Sequence, residues 1–217
     1  MPIPSGYTSG QVVQAVPSLS AYAVTSSTRP ASPFDGQIIS ETDTDSLQIY
    51  KGSAWGSASG LVYITGASFT TVTSVSLPAS TFTTTYRNYK IMFEVTATSA
   101  SGSTSIRMRA AGSDNTTSNY RQMEVGITQA NSATNNARDN VTNWEGFSGP
   151  ISMDVFSPQA TLVTHVIGGY TNSNPFSIIG RNLNGIFVAT TSFDSMSFIC
   201  SSGNFTGYYR VYGWADA

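Results

Sequence analysis

The stretch NYKIMFEVTAT, residues 88–98, alternates strictly between two kinds of side chain. Tyr89, Ile91, Phe93 and Val95 fall on one side, and Lys90, Met92, Glu94 and Thr96 on the other. A period of two belongs to a strand with one face on a core and the other toward water. The same pattern recurs in TSIRMRA, residues 104–110, where Ile106 and Met108 oppose Arg107 and Arg109. From Leu61 onward, short runs of this kind follow one another, broken by Gly, Asn, Ser or Pro, with no helical window between them. That spacing predicts an all-β head over residues 61–217, an antiparallel β-sandwich of jelly-roll-like type. One segment breaks the rhythm: ITQANSATNNARDNVTNWEGF, residues 127–147, reads as a long surface loop or one short helix.

Upstream of the head, residues 36–55 read as a β-hairpin. Gly36 opens it, Ile38–Thr42 runs extended, Asp43–Ser46 supplies turn chemistry and Leu47–Lys51 returns. Gly52 and Ser53 are expected to release the chain before Trp55. A two-stranded hairpin is marginal by itself, so Ile39, Tyr50 and Trp55 are expected to pack on something further. GSASG, residues 56–60, marks a boundary. Residues 1–28 carry no charged side chain, and Pro2, Pro4 and Pro17 exclude a helix. Their apolar residues, among them Val12, Val13, Val16 and Tyr22, show no sustained period. This reads as an extended arm that orders by lying against another subunit. The chain therefore divides into a docking arm (1–28), a hairpin connector (29–60) and a β-sandwich head (61–217).

Composition points the same way. Charged residues are 10% of the 217, against roughly 25% in an ordinary soluble domain. Serine and threonine fill the gap at about 28%, well above ordinary usage. Short hydroxyl side chains lose little rotamer freedom when ordered against a partner. Lysine, the usual guard of sheet edges, occurs only as Lys51 and Lys90. Such a surface suits an assembled protein. The net charge of −2 and the scattered arginines offer nothing to neutralise a phosphate backbone, so no nucleic-acid partner is expected. No run is long enough to span a bilayer, and no basic, apolar leader opens the chain, so synthesis in a cytoplasm without an obvious export signal is expected.

Catalytic and metal motifs find little support. His165, the single histidine, shares a strand face with Val163 and Ile167 and reads as a core residue. Cys200, the single cysteine, shares one with Met196 and Phe198 and reads as a buried thiol. One His and one Cys do not make a structural zinc site. ETDTDS, residues 41–46, fails as a calcium loop, because Ser46 stands where glycine is needed and Gly52 where a bidentate glutamate is needed. Glycan hydrolysis requires two carboxylates at a set separation, and nothing recommends a pair among Glu41, Glu94, Glu124 and Glu145. No catalytic residue, cofactor or metal ligand is assigned. The C-terminal run FTGYYRVYGW is aromatic-dense, with Tyr209 and Val211 opposing Tyr208, Arg210 and Tyr212. Tyr208, Tyr212 and Trp214 are candidates for subunit or partner packing, since aromatics with one polar end favour interfaces and sugar rings.

RPASPFDGQIISETDTDSLQIYKGSAW, residues 29–55, resembles a segment that recurs in tailed-bacteriophage virion proteins, chiefly tail-fibre and minor structural proteins. The resemblance rests on Arg29, Pro30, Pro33, Gly36, Gln37, Ile38, Ile39, Glu41, Thr42, Asp43, Thr44, Leu47, Ile49, Tyr50, Gly52 and Trp55. YRVYGW, residues 209–214, looks like the last strand of phage β-sandwich modules. The resemblance implies a virion surface protein, a homotrimer whose arm docks on other virion proteins (tail, baseplate or major capsid protein). A short tail fibre or appendage binding the host surface, with a surface glycan as its ligand, is the expected role. A capsid decoration or head-fibre protein is the alternative, and a glycan depolymerase a third.

Overall fold

The structure, a computed structural model, describes residues 22–57, 60–128, 133–147, 149–174 and 177–215. Val12, Val13 and Val16 of the expected arm lie outside the described residues. The chain forms two compact units, residues 1–59 and 60–217.

In the first unit, β1 (Tyr22–Val24), β2 (Ile38–Glu41), β3 (Ser46–Lys51) and β4 (Ala54–Ser57) form one sheet in that order. The expected hairpin is β2–β3, with Ile38 opposite Ile49 and Ser40 opposite Leu47. Two features go beyond it. Tyr22–Val24, read as part of the arm, runs parallel to β2. Gly52 and Ser53, read as a release, instead turn the chain back into β4 with φ values of 59° and 76°. A two-residue loop with both φ values positive matches the twist of the flanking strands, so it closes a hairpin. Tyr50 and Trp55 thereby become cross-strand neighbours, with ring centroids 5.3 Å apart and edge to face.

In the second unit the strands are β5 (Leu61–Val72), β6 (Ser74–Ser76), β7 (Asn88–Thr98), β8 (Thr104–Ala110), β9 (Ser113–Asp114), β10 (Tyr120–Thr128), β11 (Ala133–Val141), β12 (Trp144–Phe147), β13 (Ile151–Phe156), β14 (Thr164–Asn174), β15 (Ser177–Phe187), β16 (Ser195–Cys200) and β17 (Phe205–Trp214). An eight-stranded sheet runs β11-β10-β15-β14-β13-β7-β17-β5; a smaller one runs β12-β8-β16-β6, with β9 beside β8. Every pairing in this unit is antiparallel, and the fold is the all-β sandwich that the alternation predicts. No helix occurs among the described residues.

The core forms where the two inner faces meet. Tyr89, Ile91 and Phe93 from β7 face Ile106, Met108, Met196 and Phe198 of the smaller sheet, and all are buried. Phe93 and Phe198 stack across the sandwich with centroids 4.0 Å apart.

Three sequence expectations need correction. The described part of residues 127–147 is largely strand, the end of β10 with all of β11 and β12, and not one long loop or a helix. β11 lies at the sheet edge, where Asn136, Ala137, Asp139 and Asn140 stay exposed, so it needs no apolar alternation. Trp144 on β12 is fully buried, its indole N–H donating to the Arg121 carbonyl at 3.0 Å. His165 does share a face with Ile167, but that face is the outer one; Thr164, Val166 and Tyr170 point inward. Both phases of THVIGGY offer apolar residues, so its pattern does not say which faces the core. Cys200 is half-buried at a strand end, its thiol donating to the Ser202 carbonyl at 3.0 Å.

Candidate binding groove on the outer sheet face

The inner face of the eight-stranded sheet is consumed by the core, which leaves the outer face for function. Register places its side chains in rows across the strands. One row runs Ser68, Tyr208, Glu94 and then, beyond β13, Thr171 and Gly180. The next runs Gly66, Arg210, Met92, Ser152, Gly169, Asn182 and Val125. A third runs Tyr63, Tyr212, Lys90, Asp154, Ile167, Asn184 and Met123.

In the first two rows the large side chains stand on β17 and β7 (Tyr208 and Glu94, Arg210 and Met92), and small residues follow on β13, β14 and β15 (Ser152, Gly169, Thr171 and Gly180). The result is a groove of about 540 Å³ with Ser152, Gly169 and Gly180 as floor. Tyr208, Met92 and Glu94 line one side, and Asn182 and Val125 the other. From β17 to β10 is five inter-strand steps, or about 24 Å at roughly 4.8 Å per step. Tyr208 also borders a second crevice of about 440 Å³, lined with Tyr63, Gly66, Ser68 and Arg210.

The polar groups of the groove are held in place. The Tyr208 hydroxyl donates to Glu94 Oε2, and the carboxylate pushes the phenol above its ordinary range. Beneath the sheet, Glu124 is buried and accepts from the Tyr170 hydroxyl and from Arg181 Nη1, the latter at 2.9 Å. Burial, then Glu124, push the Tyr170 phenol up. That cluster ties β10, β14 and β15 together under the groove floor. Asp154, one row away, accepts from the Trp214 indole at 3.3 Å and from Lys90 at 3.5 Å. No group of three or more His, Cys, Asp or Glu side chains arranged to hold a metal occurs among the described residues.

The sequence-selected packing residues fall in different places. Tyr208, Tyr212 and Trp214 share the outer face with Tyr63, and Tyr212 and Tyr63 meet edge to face at 5.8 Å. In the first unit Tyr22 is exposed, Ile39 fully buried, and Tyr50 and Trp55 half-buried against each other. Gly169, Gly180, Asn182, Met92 and Ser152 were not singled out from sequence. Their only signal is glycine inside apolar strand runs (VIGGY, SIIGR), which marks a bulge or a close approach without saying to what.

No protein-family model matches the chain, and no curated protein does. Among solved structures, an exo-inulinase from Aspergillus awamori is similar over 82% of this chain at 16% identity, with a TM-score of 0.36. The chain spans about a third of that protein's length (34%), and so loose a likeness carries no argument.

Proposed function

We propose that this chain is a non-enzymatic structural protein of a tailed-bacteriophage virion: a short trimeric tail fibre or appendage, anchored by its N-terminal arm and presenting the sandwich to the host surface. One observation carries the reading. The residues that resemble the recurring phage segment are those that build the small sheet. Arg29 pairs with Glu41, whose carboxylate also accepts from the Thr44 hydroxyl at 2.9 Å. Asp43 accepts from the Ser26 amide at 2.8 Å and from its hydroxyl at 2.6 Å. Gly36 and Gly52 hold positive φ, and Tyr50 packs on Trp55. A motif spent on holding its own sheet suits a connector module.

The non-enzymatic reading draws support from the outer face. Glu94 lies four residues along β7 from the partner of Asp154, which puts their backbones about 14 Å apart. Paired carboxylates of glycosidases sit about 5–9.5 Å apart. Each carboxylate is also engaged by a neighbour, Glu94 by Tyr208 and Asp154 by Lys90 and Trp214. Trimerisation draws support from Tyr63, Met123, Ile167 and Trp214, exposed on one sheet face by 58%, 51%, 51% and 39%. Apolar groups gathered on one face mark a contact surface.

Gold-labelled antibody on intact virions tests the location. Label at the tail end is expected; a regular lattice of label over the head would replace the fibre with a decoration protein. Deleting residues 1–21, which spares β1 and the Ser26–Asp43 bonds, is expected to leave a folded chain that no longer joins particles, and normal incorporation would remove the docking arm.

A further inference from the structure

We infer that the groove over Gly169 and Gly180 is a binding site for a neutral oligosaccharide. The inference extends the host-facing role above but stands on the groove itself.

The two glycines carry the argument. Glycine in a strand interior costs backbone entropy and packs nothing, so a folded sheet keeps it where backbone or space demands it. Neither demand applies here. Both residues have φ outside the left-handed region; among the described residues a Cβ at Gly180 would meet nothing within 4 Å, and one at Gly169 would make only ordinary contacts at 3.6 and 3.7 Å. Compare Gly168 on the same strand, where a Cβ would fall 2.7 Å from the Ser152 carbonyl. Gly169 and Gly180 thus stand on adjacent strands where a side chain would fit, and their effect is to keep the floor open.

The lining selects the ligand class. Tyr208, Met92 and Val125 offer apolar surface for the C–H faces of sugar rings. Glu94, Asn182 and Thr171 offer hydrogen-bonding groups for hydroxyls. Tyr208 occupies Glu94 Oε2, which leaves Oε1 to accept from a ligand. Asn182 Oδ1 leans over Gly169. Among the described lining residues Glu94 is the one carboxylate and Arg181 the one cation; Arg181 is paired with buried Glu124, which leaves Glu94 to repel acidic sugars. The volume falls within the roughly 300–1,000 Å³ of small-ligand sites, and the length across five strand steps favours a chain of sugars over one ring.

The test uses the full chain against an array of neutral and acidic oligosaccharides, followed by titration with the best neutral binder. Gly180→Leu and Tyr208→Ala are each expected to weaken binding by about tenfold or more. Gly180→Leu should keep the wild-type melting temperature, and Met123→Ala, outside the groove, should leave affinity within about twofold. Absence of neutral-oligosaccharide binding, preference for acidic ones, or binding indifferent to Gly180→Leu would overturn the inference. Sugar binding by a protein that antibody finds absent from virions would keep the groove and sink the virion reading; labelled virions with a protein blind to sugars would do the reverse.

Discussion

Trp144 and Gly185 show what a single residue decides in this fold. Tyr120 packs edge-on against the Trp144 ring at 5.0 Å, and a Cβ at Gly185 would come 2.8 Å from the indole nitrogen. The indole therefore fills space that only glycine leaves. Trp144→Ala is expected to cost about 3–5 kcal/mol of stability, through lost burial and the cavity left behind. Gly185→Ala should also destabilise, by about 1–3 kcal/mol of overpacking. Denaturant melts of both variants check this. Ser53 makes the opposite case. It holds a φ of 76°, which side chains other than glycine adopt at a cost of about 1–2 kcal/mol. Ser53→Gly should recover about 0.5–1 kcal/mol, read from slower amide exchange in β3 and β4. Tryptophan in an otherwise polar segment was visible in the sequence; the glycine that receives it, 41 positions later, was not.

At the scale of the element, the small sheet depends on an ion pair. Arg29, assisted by Thr44, holds the Glu41 carboxyl below its ordinary range, although burial pushes the other way. A depressed folded value means the pair stabilises fully above the unfolded pKa of about 4.3 and loses its contribution as pH falls through the folded value. Amide protection in β2 and β3, taken relative to the intrinsic exchange rate at each pH, should therefore fall on acidification below about pH 4. Glu41→Gln should cost about 1–2 kcal/mol at neutral pH and flatten that acid dependence. A residual slope is expected from Asp43, which hydrogen bonds from Ser26 hold low in the same window. Hairpin alternation and turn chemistry were legible here. The parallel pairing of β1 was not, because Tyr22–Val24 finds β2 across an intervening stretch that no local pattern bridges.

For the whole molecule, the outer sheet face combines two surfaces. The groove rows set small and polar residues between Tyr208, Met92 and Val125, whereas the third row carries the more exposed Tyr63, Ile167 and Met123. Self-association through that third row should give three times the 23.0 kDa chain mass by light scattering. Ile167→Lys should shift the mass toward the monomer without unfolding the sandwich, since Ile167 is half exposed and contributes little to the core. A monomeric wild type at micromolar concentration would remove the trimer.

Sequence alone determined that this chain is built of strands, and in β7 and β8 which side chains turn inward; in β17 it separated the two faces without choosing between them. That information is local, because alternate residues in a strand point to opposite faces. It failed where both phases were apolar, as at His165, and where an edge strand needed neither phase apolar, as in β11. Only the tertiary structure decided what lies beside what. Tyr208 and Glu94 are 114 residues apart, yet they meet because β17 inserts between β5 and β7. The groove exists for the same reason: strand order, a non-local property set by how two sheets close on one core, brings small residues from separate strands into one floor.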